Sequence, residues 1–272
     1  MSAPARFLCV GTHHKTGTVW MRRTFHKFAT AEGIPVTRVN ECSRLNVLPT
    51  DGPALVVSWS SSFPLALFNH PQARFLHMIR DPRDVLLSGY RYHLVAPTGN
   101  EKFLRIPRKD LGGKTYKEHL NALPSRIDGL LFEMNNKHAE TVTEMLIWPY
   151  GHPQVVDLRY EDLINDTDCA LFDRAIRRLD VPTFDHDRLM KSYWDHSLFG
   201  ALADPENRKP NVKAHVKSAS TAQWRAKLPR EVATAYAARF GAALAALGYA
   251  QNDDWVNECL PEAEMAKAFT AS

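Results

Sequence analysis

The run Gly11-Thr12-His13-His14-Lys15-Thr16-Gly17-Thr18-Val19-Trp20 sets a lysine, two threonines and a glycine side by side at Lys15-Thr16-Gly17-Thr18. Those are the components of an anion site. Where such a segment joins a strand to a helix, the backbone N–H groups of Thr16, Gly17 and Thr18 point at phosphate oxygens. The helix dipole then favours negative charge, and Lys15 adds a full positive one. Gly17 lets the backbone approach its ligand closely. The plainer reading is that Gly17 only makes a tight strand-to-helix turn. A nucleoside triphosphate loop, G-x-x-x-x-G-K-[ST], carries its lysine after the glycine. Here Lys15 precedes Gly17.

A second polar cluster, Arg80-Asp81-Pro82-Arg83-Asp84 and then Ser88, follows the apolar run Phe75 to Ile79. A helix opening near Asp84 rises ~1.5 Å per residue, so Ser88 falls roughly one turn in and can share an anion with Arg80. That anion would be a second phosphate. The competing reading pairs Arg80 with Asp81 or Asp84 and leaves Ser88 as a local cap.

The elements that must hold these residues are legible in outline. Phe7-Leu8-Cys9-Val10 reads as a strand buried on both faces, and Met21, Phe25 and Phe28 recur at helical spacing after Thr18. Ala54 to Val57, Phe75 to Ile79 and Gln154 to Leu158 read as further strands, and Asp84 to Tyr92 as a helix. Strands alternating with helices predict a three-layer α/β fold on a mostly parallel sheet, with ligands at the carboxyl ends of the strands. Residues 96–114 read as a Gly-, Lys- and Arg-rich loop, either an acceptor lid or a solvated surface loop, and 125–148 as a long helical region. Val232, Tyr236, Phe240, Leu244 and Leu247 form a helical stripe that Gly248 can end.

At 272 residues, 44% hydrophobic and 24% charged, the chain reads as a single domain spanning 1–272. Its net charge of +4 suits an anionic ligand without the dense basic stripe of a nucleic-acid binder. The opening residues lack a basic region followed by a long apolar stretch, and no run of about 18 apolar residues occurs, so a cytoplasmic protein off the membrane is expected. Cys9, Cys42, Cys169 and Cys259 have neither CxxC spacing nor a nearby histidine pattern, so neither a disulfide framework nor a zinc site is read.

These segments resemble the sulfotransferases that use 3′-phosphoadenosine 5′-phosphosulfate (PAPS), above all their cytosolic branch. Lys15 to Trp20 is similar to the family's 5′-phosphosulfate loop, which implies that Lys15 contacts the transferring group, that Thr16, Gly17, Thr18 and Val19 line the phosphate, and that Trp20 lies by the adenine. Arg80 and Ser88 match its 3′-phosphate motif, and Tyr90 to His93 resembles the stretch that follows. Tyr160-Glu161-Asp162-Leu163 is similar to a segment whose tyrosine approaches the base. His215 to Arg225 resembles the C-terminal signature in part, with Lys217 at its arginine position but Ser218 and Ala219 in place of lysine and glycine. The resemblance implies a P-loop-NTPase-like sulfotransferase fold, PAPS as donor, PAP as product and no metal.

Sulfuryl transfer also needs a base for the acceptor's proton. In the cytosolic branch a histidine does this, and Ser62 stands at its position in Ser58-Trp59-Ser60-Ser61-Ser62-Phe63-Pro64. Other branches use a glutamate after the phosphosulfate loop, which makes Glu41 the favoured base, with His14, His13 and His93 as alternatives. Glu41 is expected to end a second strand that begins near Ile34. The acceptor expected is a small molecule or glycan, not nucleic acid, and a homodimer is left open. A phosphate-loop kinase or NTPase, and a PAP-binding protein without catalysis, remain as alternatives.

Overall fold

A computed structural model of the chain describes residues 4–97, 101–203, 206 and 221–265. In order they form β1 (Phe7–Thr12), α1 (Thr18–Glu32), β2 (Val36–Arg38), β3 (Ala54–Ser58), α2 (Leu65–Phe68), β4 (Ala73–Ile79), α3 (Pro82–Val95), α4 (Tyr116–Asn121), α5 (Arg126–Asn135) and α6 (Lys137–Leu146). There follow β5 (Val155–Arg159), α7 (Tyr160–Leu163), α8 (Ala170–Leu179), α9 (His186–Asp195), α10 (Trp224–Lys227) and α11 (Arg230–Ala246). They fall into two compact units, Met1–Arg80 with Ile147–Ala219 and Asp81–Leu146 with Ser220–Ser272.

The first unit is built on a five-stranded parallel sheet in the order β2-β3-β1-β4-β5. β1 is central because every one of its residues is buried, as the unbroken apolar run requires. Alternation divides its side chains between two cores. Leu8, Val10, Leu55, Val57, Leu76, Met78, Val156 and Leu158 face α1, α8 and α9 through Phe25, Phe28, Phe172, Leu189 and Tyr193. Phe7, Cys9, Val56, Phe75 and Val155 face the opposite way, onto Phe63, Leu67, Phe68 and Trp148. The chain passes from β1 to the β2 edge, returns through β3 beside β1, and only then crosses to β4. The reversal of strand order therefore lies at β1, whose carboxyl end is where an open parallel sheet takes its ligand.

The second unit is helical, with Leu86, Leu87, Leu130, Met134, Trp224, Val232, Tyr236 and Leu244 at its centre. The helix expected from Asp84 starts earlier, at Pro82. Asp81 caps it by accepting from the Arg83 N–H, and proline's fixed φ suits the first turn. The long helical region is broken into α5 and α6 at Asn136, whose φ of −119° and ψ of −110° lie outside the helix. The loop at 96–114 contains two short 3-10 turns, and Leu104 is fully buried beside Tyr116 and Leu120. Its described part is thus anchored through Ala96 and Leu104 in a small apolar cluster of the second unit. Gly248, at φ +71°, ends α11 as the stripe predicts. Among the described residues, no helix is long and apolar enough to cross a membrane.

Candidate active site

The turn from β1 to α1 is held by His13. Its carbonyl accepts from Thr16 N–H (3.2 Å), Thr16 Oγ1 (3.0 Å) and Thr18 Oγ1 (2.8 Å), while its own N–H donates to Thr16 Oγ1 (2.9 Å). Thr12 and Thr18 hydroxyls bridge the two ends of the turn at 2.8 Å. Within it Lys15 and Gly17 both take left-handed backbone, φ +64° and +105°, and Gly17 stands at the N-cap of α1 with no side-chain cap. Left-handed residues alternating with an ordinary one before an uncapped helix turn amide N–H groups toward a common point, the concavity that binds anions. Lys15 and His14 are half-buried on this turn, Thr16 is buried, and Val19 opens the helix.

Arg80, at the carboxyl end of β4, is brought to the same place. It is 4% exposed, its Nη1 donates to the Lys15 carbonyl at 3.3 Å, and its guanidinium lies 4.4 Å over the Tyr160 ring. Tyr160, the first residue after β5, packs in turn on Gly17: a Cβ at Gly17 would meet Tyr160 Cδ2 at 3.2 Å and Met78 Cε at 2.4 Å. Lys15, Gly17, Arg80 and Tyr160, drawn from three separate segments, therefore form one constellation in the first unit. Trp20 is partly buried and stacks on Tyr193 at 5.1 Å, and Tyr193 stacks on Phe172 at 3.6 Å, so the indole is a wall of the core as well as a neighbour of the loop. Ser88 lies in the second unit on α3, roughly 9 Å along the axis from Pro82 rather than one turn from a start at Asp84. Lys217 and Ser218 fall outside the described residues.

Glu41 does not end a strand. β2 stops at Arg38, and Glu41 sits exposed in a turn where Asn40 Oδ1 accepts from the Cys42 N–H (3.0 Å). Three residues of edge strand leave the chain free to turn before reaching it. The Ser62 hydroxyl donates to Glu41 Oε2 at 2.5 Å. That hydrogen bond, ahead of a backbone one, lowers the Glu41 pKa from its ordinary value. The two positions weighed separately for the base thus meet in space. His93 lies in the second unit, fully buried, with Nδ1 on Glu133 at 2.8 Å.

A hydrogen-bonded chain that the sequence did not announce underlies the turn, its two histidines fully buried and its carboxylate, Asp157, reaching solvent. His13 Nε2 lies 2.9 Å from His77 Nε2, His77 Nδ1 lies 2.8 Å from Asp157 Oδ1, and Trp148 Nε1 donates to the same Oδ1 at 2.9 Å. His77 also stacks on Trp148 at 3.9 Å. Sheet register explains the alignment: His77 pairs with Gly11 on β1 and with Asp157 on β5, and His13 shares the face of Gly11 by the two-residue alternation. Desolvation lowers the His77 pKa to about 4 against the opposing pull of Asp157.

No protein-family model matches the chain, and no curated relative is found. Among solved structures, retinol dehydratase in a complex with retinol and PAP aligns over 90% of this chain and 82% of its own at 14% identity and a TM-score of 0.51. The chain has the sulfotransferase fold. Mouse sulfotransferase SULT7A1 complexed with PAP aligns over 78% of this chain and 71% of its own, at 14% identity and a TM-score of 0.47. A sulfotransferase from Alicyclobacillus acidocaldarius aligns over 90% and 96%, at 17% identity and 0.37.

Proposed function

We propose that this chain is a PAPS-dependent sulfotransferase acting on a hydroxyl or amine of a small molecule or glycan in the cytoplasm. The observation that carries the reading is the meeting of Lys15, Gly17, Arg80 and Tyr160 at the carboxyl ends of β1, β4 and β5, on the fold of an enzyme known with PAP. The turn has amide N–H groups and a lysine for the 5′-phosphosulfate. Arg80, the match to the 3′-phosphate motif, is the cation for a second phosphate, and the Tyr160 ring it covers supplies an apolar face for a base.

In the transfer, the acceptor oxygen or nitrogen forms a bond to sulfur as the bond from sulfur to the 5′-phosphate oxygen breaks. PAP leaves with that electron pair. Lys15 and the loop dipoles stabilise charge gathering on the leaving oxygen. The acceptor's proton passes to the Glu41 carboxylate, which Ser62 keeps ionised and aimed. Thermal melts with PAP against ATP plus magnesium separate this reading from a phosphate-loop kinase, because a ligand that binds the native state raises the midpoint by mass action. Stabilisation by PAP alone is expected. Turnover over an acceptor panel, read as PAP release, should fall at least a hundredfold in Glu41→Gln with PAP affinity unchanged; full turnover by that variant would remove Glu41 from the mechanism.

A further inference from the structure

The Asp157, His77 and His13 side chains are hydrogen-bonded in series, from β5 through β4 to the residue after β1 that fastens the β1–α1 turn. As a carboxylate Asp157 only accepts, and Trp148 Nε1 only donates to it, so the proton between Asp157 and His77 resides on His77 Nδ1. A neutral imidazole carries one donor and one acceptor. His77 is wholly buried and held neutral at pH 7, so its Nε2 is the acceptor. The 2.9 Å contact between the two Nε2 atoms then requires the proton on His13 Nε2. One carboxylate thus dictates the tautomer of two imidazoles in series.

The consequence reaches the loop because His13 grips it through its backbone. Its carbonyl and N–H hold Thr16 and Thr18 around the two left-handed residues, Lys15 and Gly17. If His13 carried its proton on Nδ1 alone, two bare lone pairs would face each other at 2.9 Å and the His13–His77 hydrogen bond would be lost. Left-handed backbone at Lys15 is unfavourable for a residue with a Cβ and persists only while its surroundings hold it.

We propose that Asp157 and His77 are positioning residues for the phosphosulfate loop, holding His13 in the Nε2–H tautomer and through it the backbone conformation that binds the donor's 5′ end. The inference rests on the reading of this turn as the PAPS loop. Neither residue is assigned a contact with the donor; both act through His13.

The test uses the full chain and PAP as probe. Two-bond proton–nitrogen spectra of ¹⁵N-histidine protein, with His13 assigned by difference against His13→Gln, report which ring nitrogen carries the proton. Wild type should have His13 protonated on Nε2. Asp157→Asn keeps an oxygen that accepts from His77 and should retain that tautomer and PAP affinity within about threefold. Asp157→Leu and His77→Phe remove the acceptor or the relay. Each should give a mixed or reversed His13 tautomer and at least tenfold weaker PAP binding by calorimetry, at a temperature where circular dichroism shows the fold intact. Wild-type PAP affinity in both variants, or a wild-type His13 protonated on Nδ1, overturns the proposal. Should Asp157→Leu fail to fold, His77→Phe and the wild-type tautomer decide it. A wild-type chain that does not bind PAP would instead sink the sulfotransferase reading, and the tautomer measurement would still settle the relay.

Discussion

At Gly17 the backbone is at φ +105°, and a Cβ would stand 2.4 Å from Met78 Cε and 3.2 Å from Tyr160 Cδ2. The thioether end can give way, but the ring is pinned beneath Arg80, and the positive φ penalises any side chain. Gly17→Ala should therefore destabilise the chain by ~1–2 kcal/mol in urea unfolding and weaken PAP binding at least tenfold. Near-native affinity would mean that the turn does not need this conformation. Ser62 offers a finer test. Its hydroxyl is the main cause of the lowered Glu41 pKa, and a base works only while ionised. Ser62→Ala should move the acid limb of the kcat/KM profile to higher pH, and an unmoved limb would separate Ser62 from the base. Lys15, Gly17, Arg80 and Tyr160 were legible because each sits in a local motif. The His13, His77 and Asp157 chain was not, because its members are far apart in sequence and meet only through strand register.

The elements differ in how openly the sequence declares them, and the reason is burial. β1, β3 and β4 are covered on both faces and appear as apolar runs. β2 spans only Val36–Arg38 at the sheet edge with most of its residues exposed, so it carries no pattern, and the place of Glu41 beyond it was misread. The break at Asn136 needs neither proline nor glycine and leaves no signal either. Helix starts were more legible, and their energetics diverge with burial. Thr115 caps α4 in an exposed capping box with Glu118, so Thr115→Ala should cost about 1 kcal/mol. Asp81 caps α3 and also holds Arg83 through two bonds, Nε at 2.9 Å and Nη2 at 2.7 Å, with Arg83 only 3% exposed between the Trp224 and Trp255 rings. Asp81→Ala leaves that guanidinium without its carboxylate, with only the Tyr249 carbonyl, among the described residues, accepting from Nη2, so a loss of roughly 3–5 kcal/mol is expected. Equal losses in the two variants, measured by chemical denaturation, would contradict the distinction.

For the molecule as a whole, acid stability depends on two histidines, one from each unit, whose charged form burial strongly disfavours. His77 in the first is depressed to about 4, chiefly by desolvation, and His138 in the second, fully buried with Nε2 on the Tyr236 hydroxyl at 2.8 Å, to about 3 by the same cause. Their ordinary value is 6.5. Between the folded and unfolded values the unfolded chain binds the extra proton and the native chain does not, so stability rises with pH there. Each group is thus neutral to stability above 6.5 and withdraws up to ~1.4 kcal/mol per pH unit as the pH falls below it, levelling off only near its folded value. Unfolding free energy should accordingly drop from pH 7 to pH 5. His138→Phe, which keeps the aromatic contact with Phe240 and cannot be protonated, should flatten that slope by about half, whatever it does to stability at pH 7. An unchanged slope in His138→Phe and His77→Phe alike would assign the acid sensitivity to other groups.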